Sequence, residues 1–289
     1  MAMITATIIG DWISTRDDRL TVVEWNFPRY ILPEVNTYRQ FSRSAMSSRA
    51  MPLLDIPLKN GEVKPGRITK IREDPWIPIH WGKNQAGMVA EEEVSLEEQI
   101  EAESVWREAA NAAADYATYL AKMKIHKQVA SRVIEPFSMH LHVVASTDWG
   151  NMFRQRIHKD AAPEFQALGQ AHKDALDAST PKLLQDGEWA LPYIRDDEEY
   201  MDVEILKKLS VSRVAKSSYG NAGKADIEAD LQLFERLYWA NPMHSAPFEM
   251  VATPTGDVDT LGNFRGFKQL RHIVESERMI SDNEGLQQL

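Results

Sequence analysis

A basic, hydroxyl-rich segment from Thr37 to Arg49 carries residue types suited to binding a small anion. It contains three arginines, four serines and no acidic residue, although the whole chain has a formal charge of −10. Guanidinium groups form paired hydrogen bonds with phosphate or carboxylate oxygens, and serine hydroxyls add further donors. The segment therefore predicts a site for a small anion such as a phosphate group. The alternative interpretation is a solvated basic surface loop.

The overall composition excludes several classes of function. The excess of acidic residues argues against a nucleic-acid polymer as the main partner, because binding its backbone needs surplus Lys and Arg. The chain has no cysteine, so disulfides, zinc–thiolate sites and cysteine nucleophiles are excluded. No apolar stretch is long enough to predict a membrane span, and the first residues do not resemble a signal peptide.

Strand patterns are expected towards both ends of the chain, with helices between them. Region 6–30 alternates apolar and polar residues and predicts strands, and Met139 to Val143 alternates apolar residues with two histidines, which predicts a half-buried strand. Region 53–87 is rich in Pro, Gly and Lys and predicts a loop. This arrangement favours an α+β fold over a doubly wound parallel sheet.

A long helix is predicted to begin at Ser95, because Glu98 three residues later completes a capping box. Its many alanines predict close packing against another helix. A second helix over 125–134 is expected to end before Pro136. Further helices are predicted from apolar spacing in the regions 147–156, 163–176, 203–209 and 226–239.

Four further segments combine with the basic segment. In chain order they are His126-Lys-Gln-Val-Ala-Ser-Arg132 closing on Glu135-Pro136, Asn151-Met-Phe-Arg-Gln-Arg156 followed by Ala161-Ala-Pro-Glu164, Val214-Ala-Lys-Ser-Ser-Tyr219, and His244-Ser-Ala-Pro-Phe-Glu249. Together the five segments resemble the signatures of the flavin-dependent thymidylate synthases, the ThyX family. They span 28–165 and 213–250, about two thirds of the chain. The resemblance implies a single ThyX-like domain over 1–289, with a sheet built from both chain ends around a central helical region.

The order of the segments differs from that in ordinary family members. There the His-x-Ser-Pro-Phe-Glu segment precedes the Arg-Ser signature, whereas here it follows it by about two hundred residues. The chain thus resembles long, circularly permuted members of the family. A permutation is tolerated when the original termini lie close together at the surface. It predicts that the segments 37–49 and 244–250 pack side by side.

The resemblance also implies roles for individual residues. The positions that hold the nucleotide in the family are here Glu34, Ser47, Ser48, Arg49, Arg132 and Arg156. The positions that hold FAD are here Thr37, Tyr38, Arg39, Asn151, Ser218 and His244. Arg156 is the expected catalytic residue, stabilising negative charge at the N3–O edge of an ionised uracil. The alternative for Arg156 is a surface salt bridge on a helix.

Several family positions are changed, mainly among those for the flavin. The changes place Thr37 and Tyr38 at the first Arg and the His of the Arg-Ser signature, Ser44-Ala45 at its Asn-Glu pair, Ala162 at a Gln, and Met250 at the His that closes the Pro-Phe-Glu segment. The positions expected at the nucleotide keep more of the family's residues than those expected at the flavin. These changes leave two alternatives open, a related C5 modification such as hydroxymethylation, and a nucleotide-binding or structural protein that has lost catalysis.

The activity implied by the resemblance is C5-methylation of dUMP to dTMP. The family uses FAD, NADPH and methylenetetrahydrofolate, acts in the cytoplasm, and forms homotetramers with active sites between subunits. It needs no protein nucleophile, which agrees with the absence of cysteine. The other route to thymidylate uses a cysteine thiolate, so it is excluded for this chain.

Other candidate sites are weaker. His140 and His142 share one face of the predicted strand, but no acidic third ligand lies nearby in sequence, so ordinary sheet histidines are expected rather than a metal site. The acidic run from Glu91 to Glu103 predicts a solvated helix face. No glycine-rich phosphate loop occurs, which argues against a Rossmann or P-loop mode of nucleotide binding.

Overall fold

The structure is a computed structural model that describes residues 2–255 and 262–287, with side chains described as far as residue 278. The strands are β1 Thr5–Ser14, β2 Arg19–Pro28, β3 Ser42–Ala45, β4 Ile56–Pro57, β5 Val63–Lys64, β6 Met139–Ser146, β7 Lys182–Leu184, β8 Ala252–Pro254 and β9 Phe267–Gln269. The α-helices are α1 Leu32–Val35, α2 Arg67–Glu73, α3 Leu96–Lys122, α4 Lys127–Ala130, α5 Gly150–Arg156, α6 Pro163–Asp177, α7 Val203–Ala215, α8 Ile227–Tyr238 and α9 Leu270–Gln287. The α+β class is confirmed.

A five-stranded sheet in the order β3-β6-β2-β1-β7 forms the centre of the molecule. The predicted strands in region 6–30 are confirmed as the antiparallel pair β1 and β2, with a register shift between Ile8 and Gly10. β2 also pairs with β6, so that Phe27 lies opposite His140 and Trp25 opposite His142. The short strand β7 joins the other edge parallel to β1.

Each face of this sheet carries its own apolar core. On one face, Val22, Val143 and Ala145 pack against α7 and the C-terminal region through Val214 and Phe264. On the other face, the aromatic residues of β2 pack against α5 and α6. Because alternate residues of a strand point to opposite faces, β2 contributes to both cores and is buried along its length.

The strand predicted from Met139 to Val143 is confirmed as β6, but it is buried on both faces rather than half-buried. His140 and His142 are buried on one face and Val143 on the other, and only Met139 and Leu141 are half-buried. The histidine rings pack against Phe27, with centroids 5.2 and 6.0 Å from its ring. Neutral imidazole rings are compatible with this aromatic surrounding, so the histidine face is buried as well as the apolar face.

The long helix α3 begins where predicted, with the Ser95 and Glu98 capping box formed in both directions. Its alanines at 110, 113, 114 and 117 are buried against α2 and the 3-10 helix Ser131–Phe137. Helix α2 lies in the region expected to be loop, and Ile68 and Ile71 bury its inner face. The helix predicted over 125–134 does not stop before Pro136, because a 3-10 helix continues through it to Phe137.

The C-terminal strands do not join the central sheet, which corrects the expectation of one sheet built from both chain ends. β8 and β9 pair with each other in a two-stranded sheet, and Ala252 of β8 also forms an isolated antiparallel bridge with Ala190. They contact the edge strand β3 through side chains rather than a backbone ladder, since Gln269 and Asn263 both donate to the hydroxyl of Ser42. No helix within residues 2–255 and 262–287 has the length and apolar character needed to cross a lipid bilayer.

Candidate active site

The basic segment and the segment 244–250 lie side by side, although about two hundred residues separate them in sequence. Strand β3, within the basic segment, packs against the 3-10 helix Ala246–Glu249. The amide of Gln269 joins them, donating to Ser42 Oγ at 2.7 Å and to the carbonyl oxygen of Glu249 at 2.8 Å. The juxtaposition predicted from the permuted motif order is confirmed.

The serines of the basic segment also contact the segment 214–219. The backbone amide of Ser47 donates to the carbonyl of Ser218 at 3.0 Å. The hydroxyls of Ser44 and Ser217 lie 3.0 Å apart and share a hydrogen bond in the buried interior. The structure thus brings Ser47, expected at the nucleotide, next to Ser218, expected at the flavin.

A buried ionic network fixes the position of the segment 214–219. Arg213 is fully buried and forms ion pairs with Glu198 at 2.5 Å and with Asp230 at 3.0 Å. Lys216, which stands where the family has Arg, pairs with the same Asp230. Hydrogen bonding to Arg213 lowers the pKa of Glu198 to about 2, against the opposing effect of burial. Breaking such a network leaves uncompensated buried charges, so it holds Ser218 in place.

Arg132 is expected at the nucleotide and lies in a cluster with two residues that the sequence did not single out. Glu135 accepts from Arg132 Nη1 at 2.9 Å and lies 3.1 Å from Arg29 Nε. Ser48 also donates to Glu135, and the hydroxyl of Ser131 donates to the carbonyl of Ser48 at 3.2 Å. Although burial opposes ionisation, this hydrogen bond and the two arginines hold the pKa of Glu135 below its usual range.

A third arginine adds to the positive charge of this cluster. Arg67 is only 6% exposed, donates from Nη2 to Ser138 Oγ at 3.0 Å, and has no partner for Nη1 within the described part of the chain. Burial lowers its pKa to about 10, and Arg29 and Arg132 act in the same direction while Glu135 opposes them. Three guanidinium groups around one carboxylate leave an excess of two positive charges. Such an excess favours an anionic ligand.

A groove of about 530 Å³ opens beside the cluster. Its lining includes Arg29, Tyr30, Pro33, Asn36, Arg132 and Glu135. The groove is therefore apolar along α1 and charged along the 3-10 helix Ser131–Phe137. On the sheet side, Arg43 donates to Asn36 Oδ1 at 3.1 Å, and burial lowers the pKa of Arg43.

Arg156 lies at the C-terminal end of α5 and is held by residues of the signature region. Its Nη1 lies 3.0 Å from Glu34 Oε2, and its Nε donates to the hydroxyl of Tyr38 at 2.9 Å. The guanidinium carbon lies 4.6 Å from the centroid of the Phe165 ring. Arg156 is thus in a salt bridge, as its alternative interpretation expected, but with Glu34, another residue expected at the nucleotide. Among the described residues, no contact joins Arg156 to Arg132.

The remaining expected site residues are mostly exposed. Arg49, Arg39, Asn151 and His244 all lie at the surface. Within residues 2–255 and 262–278, the guanidinium groups of Arg49 and Arg39 have no hydrogen-bond or ion-pair partner. Arg49 follows Ser48 and precedes Ala50, whose carbonyl accepts from Lys127 at 2.9 Å. It is therefore at the edge of the Arg132 cluster, with its charge available to a ligand.

Tyr38 differs from the other residues expected at the flavin. It is buried, its ring stacks on Phe41 with centroids 5.2 Å apart, and its hydroxyl donates to Gln155 at 2.9 Å. The same hydroxyl accepts from Arg156. Tyr38 therefore belongs to the core and positions Arg156, and it is not free to contact a cofactor as the family's His is expected to do.

The buried histidines do not form a metal site with neighbouring side chains. No group of three His, Asp or Glu residues within the described residues is arranged to hold a metal ion. Burial lowers the pKa of His142 and of His172 to about 3, and lowers the pKa of His140 well below its usual value. His140 Nδ1 lies 2.7 Å from Arg29 Nη1 and acts as the acceptor. These histidines are neutral core residues.

The sequence contained one signal that further cations lie near the expected phosphate site. Glu135 stands where the family's Arg-x-x-Leu-Pro segment has Leu, so a carboxylate beside an expected phosphate site required a compensating cation. Arg29 and Arg67 supply it, but their convergence depends on the pairing of β2 with β6 and on the docking of α2. Neither contact was predictable from spacing alone.

Comparisons with known proteins find partial structural likeness only. No protein-family model and no curated protein matches the chain. It is similar in part to the UMP/dUMP methylase PolB from Streptomyces cacaoi bound with 5-Br UMP, at 9% identity over 62% of this chain and 89% of that chain, with a TM-score of 0.45. It is also similar in part to thymidylate synthase X (ThyX) from Helicobacter pylori with FAD and dUMP. That match has 18% identity, covers 54% of this chain and 67% of that chain, and has a TM-score of 0.35. Likeness at this level does not assign a function, so the function must be inferred from the chain's own residues.

Proposed function

We propose that this chain binds dUMP and methylates its ring carbon five in an FAD-dependent reaction, as one ThyX-like domain with permuted motif order. The observation that carries the proposal is the packing of the segment 37–49 against 244–250. A permuted member of the family requires this contact. A chain with chance motif matches has no reason to bring together two segments about two hundred residues apart.

The charge of the site supports a phosphate monoester as the ligand. Ser47, Ser48, Arg49 and Arg132 lie around one end of the 3-10 helix Ser131–Phe137, and Arg29 and Arg67 add two cations beneath them. A phosphate monoester carries roughly −1.5 to −2 charges at pH 7, which the surplus of guanidinium groups over the single carboxylate of Glu135 can balance. Arg49 supplies a free guanidinium that forms a bidentate contact with phosphate oxygens.

Arg156 supports the chemistry at the uracil. Negative charge develops at the N3–O edge as ring carbon five becomes nucleophilic, and a fixed guanidinium stabilises that charge. Tyr38 and Glu34 set the orientation of Arg156, and the Phe165 ring shields one face of it from water. A shielded cation interacts more strongly with a developing charge than a solvated one does. Because no contact joins Arg132 to Arg156 within one chain, each active site is expected to lie between subunits of a homotetramer.

The residues expected at the flavin fit a cofactor bound at the surface, with one exception. Arg39, Asn151 and His244 are exposed and offer donors for a diphosphate or an adenine edge, and Ser218 adjoins Ser47. Tyr38 does not fit, because it is buried. When bound, reduced FAD would supply the hydride for the new methyl group, with methylenetetrahydrofolate as the carbon donor and NADPH as the reductant.

A second candidate is a dUMP-binding protein that retains no flavin. The engagement of Tyr38 with Arg156 and Gln155 favours it, because this position no longer offers a free side chain to a cofactor. The nucleotide half of the site would be unchanged. A related C5 modification, such as hydroxymethylation, would use the same nucleotide residues.

Binding and spectra of the purified protein separate these candidates. Calorimetric titration with dUMP is expected to show saturable binding, and deoxyuridine, which lacks the phosphate, is expected to bind far more weakly. A flavin absorbance band after incubation with FAD and gel filtration supports the enzyme. Binding of dUMP without flavin supports the second candidate, and absence of dUMP binding contradicts both.

A further inference from the structure

Helix α3 has an exposed apolar stripe on the side opposite its buried alanines. The stripe consists of Val105, Ala109, Ala112, Tyr116, Tyr119 and Met123. The four larger side chains are 55–67% exposed. The spacing alternates strictly between four and three residues, which is the heptad pattern of a coiled-coil seam. Exposed apolar patches of this length mark interaction sites rather than solvated helix faces.

We propose that this stripe is an interface with a second copy of the chain, packed antiparallel along α3. The seam from Val105 to Met123 is about 27 Å long at 1.5 Å per residue. α3 is already fixed on its inner side by α2 and the 3-10 helix Ser131–Phe137, so its outer face is presented rigidly. This inference is independent of the proposed function, since none of these residues belongs to the candidate active site.

The side chains of the stripe complement each other in an antiparallel register. With the two-fold axis near residue 114, Ala112 lies opposite Tyr116 of the partner subunit, and Ala109 lies opposite Tyr119 of the partner subunit. Val105 then meets Met123 of the partner subunit. Each layer therefore combines a smaller residue with a larger one, which is the condition for interdigitated packing without voids or clashes.

The surface of α3 already contains a recess where two of these large side chains would fit. An open groove of about 420 Å³ is lined by Trp81, Val105, Trp106 and Ala109, among other residues. In the proposed register it receives Tyr119 and Met123 of the partner subunit. Trp81 and Trp106 pack edge to face at 6.3 Å in the wall of this recess.

The charges beside the stripe favour the antiparallel direction. Glu108 and Lys122 are exposed, and neither has a partner within the described part of the chain. Both lie on the same flank of the seam, and an antiparallel dimer brings Glu108 next to Lys122 of the partner subunit, twice. A parallel dimer would not, because its inter-helix pairs join opposite flanks. Asp115 would lie opposite the same residue of the partner subunit at the two-fold axis. Its charge is offset by Arg72, whose Nη2 lies 2.6 Å from Asp115 Oδ1.

Association of the full chain measured by light scattering and sedimentation equilibrium tests the interface. The wild-type protein is expected to show at least twice the monomer mass of 32.9 kDa. Ala112→Glu places a charge in the middle of the seam, twice per interface, and is expected to weaken association by about a hundredfold. The matched control is Asn111→Glu, which adds the same charge at the next exposed position, off the stripe. Circular dichroism of both variants verifies that they fold.

A charge-reversal pair tests the antiparallel direction. Glu108→Lys alone is expected to weaken association by about tenfold, because two attractions become two repulsions. Adding Lys122→Glu in the same chain is expected to restore the wild-type value.

If the proposed tetramer has other interfaces, Ala112→Glu yields a smaller assembly, which also supports the inference. A monomeric wild type, a folded Ala112→Glu with unchanged mass, or a double variant that fails to restore association overturns it.

Discussion

Glu34 Oε2 lies 3.0 Å from Arg156 Nη1, so the guanidinium assigned to the uracil is held by a carboxylate from the signature region. The pair is partly exposed, with Glu34 at 41% and Arg156 at 20% side-chain accessibility. An exposed pair of this kind contributes little to stability. The pair instead orients Arg156, because it holds the guanidinium beside Phe165 while leaving the charge of Arg156 partly exposed.

Replacing Arg156 is expected to lower turnover far more than nucleotide affinity. If the guanidinium stabilises charge that forms only in the transition state, Arg156→Ala lowers the single-turnover rate by about a hundredfold to a thousandfold. Arg156→Lys restores charge without the planar fork and recovers only part of the rate. Rates measured by oxidation of reduced flavin, beside dUMP titrations, separate the two effects. Wild-type turnover in Arg156→Ala would remove this residue from the chemistry.

Replacing Arg49 is expected to act on binding instead. Its guanidinium has no partner within the described residues, so Arg49→Ala removes a ligand contact without breaking an internal one. The loss of a charge-assisted fork to phosphate is expected to weaken dUMP binding by about 2–4 kcal/mol by calorimetry. Arg154→Ala, another exposed arginine outside the expected site, serves as the control. Equal dUMP affinity in wild type and Arg49→Ala would place the phosphate elsewhere.

Removing the carboxylate from the arginine cluster is expected to strengthen phosphate binding. Glu135→Gln keeps the shape of the side chain but raises the excess charge around Arg29, Arg67 and Arg132 from two to three. Affinity for dUMP is expected to rise by about threefold to tenfold at low ionic strength, with a steeper dependence on salt. Affinity for deoxyuridine is expected to stay the same. A fall in dUMP affinity would show that Glu135 orients the arginines rather than competing with the ligand.

The buried histidines predict that the protein loses stability in mild acid. Burial lowers the pKa of His172 to about 3, below its value near 6.5 in the unfolded chain. Between these pH values the unfolded chain binds the extra proton, so the free energy of unfolding rises with pH. The contribution is complete above about pH 6.5 and falls by up to about 1.4 kcal/mol per pH unit below it.

The variant His172→Phe tests this dependence. It removes the titrating group from an aromatic pocket formed by Trp25, Trp149 and Phe153. Denaturant unfolding between pH 4 and 7 should therefore show a shallower loss of stability than in the wild type. The exposed His158→Ala serves as the control and should keep the wild-type slope. An unchanged slope in His172→Phe would mean that His172 takes up a proton in the folded chain as readily as in the unfolded chain, which contradicts the lowered pKa.

Local sequence signals predicted part of the fold well. The alternation of β2 and the capping box at Ser95 are properties of adjacent residues, and both are present in the structure. Helix α2 was missed because its first residue follows Gly66 without a capping side chain, and only two isoleucines mark its inner face. Strand β3 was missed because it has four residues and exists through its pairing with β6.

The candidate site was predictable only as far as the motifs extend. The resemblance identified Arg156 and Glu34 separately, and the structure joins them. It also identified Ser47 and Ser218, which share a backbone hydrogen bond. It could not identify Arg29 and Arg67, because each is an isolated arginine in the sequence and only the tertiary fold brings it near Glu135. That all these residues bind one nucleotide stays a prediction.

Formation of dTMP tests the central proposal most directly. The wild-type protein, supplied with dUMP, methylenetetrahydrofolate, FAD and NADPH, is expected to yield dTMP that depends on every component, as detected by mass spectrometry. Product is expected to fall sharply with Arg156→Ala and to persist with Arg154→Ala. A hydroxymethylated product would instead support the related C5 modification. A folded wild-type protein that binds dUMP and FAD but forms no modified nucleotide would contradict the proposed activity.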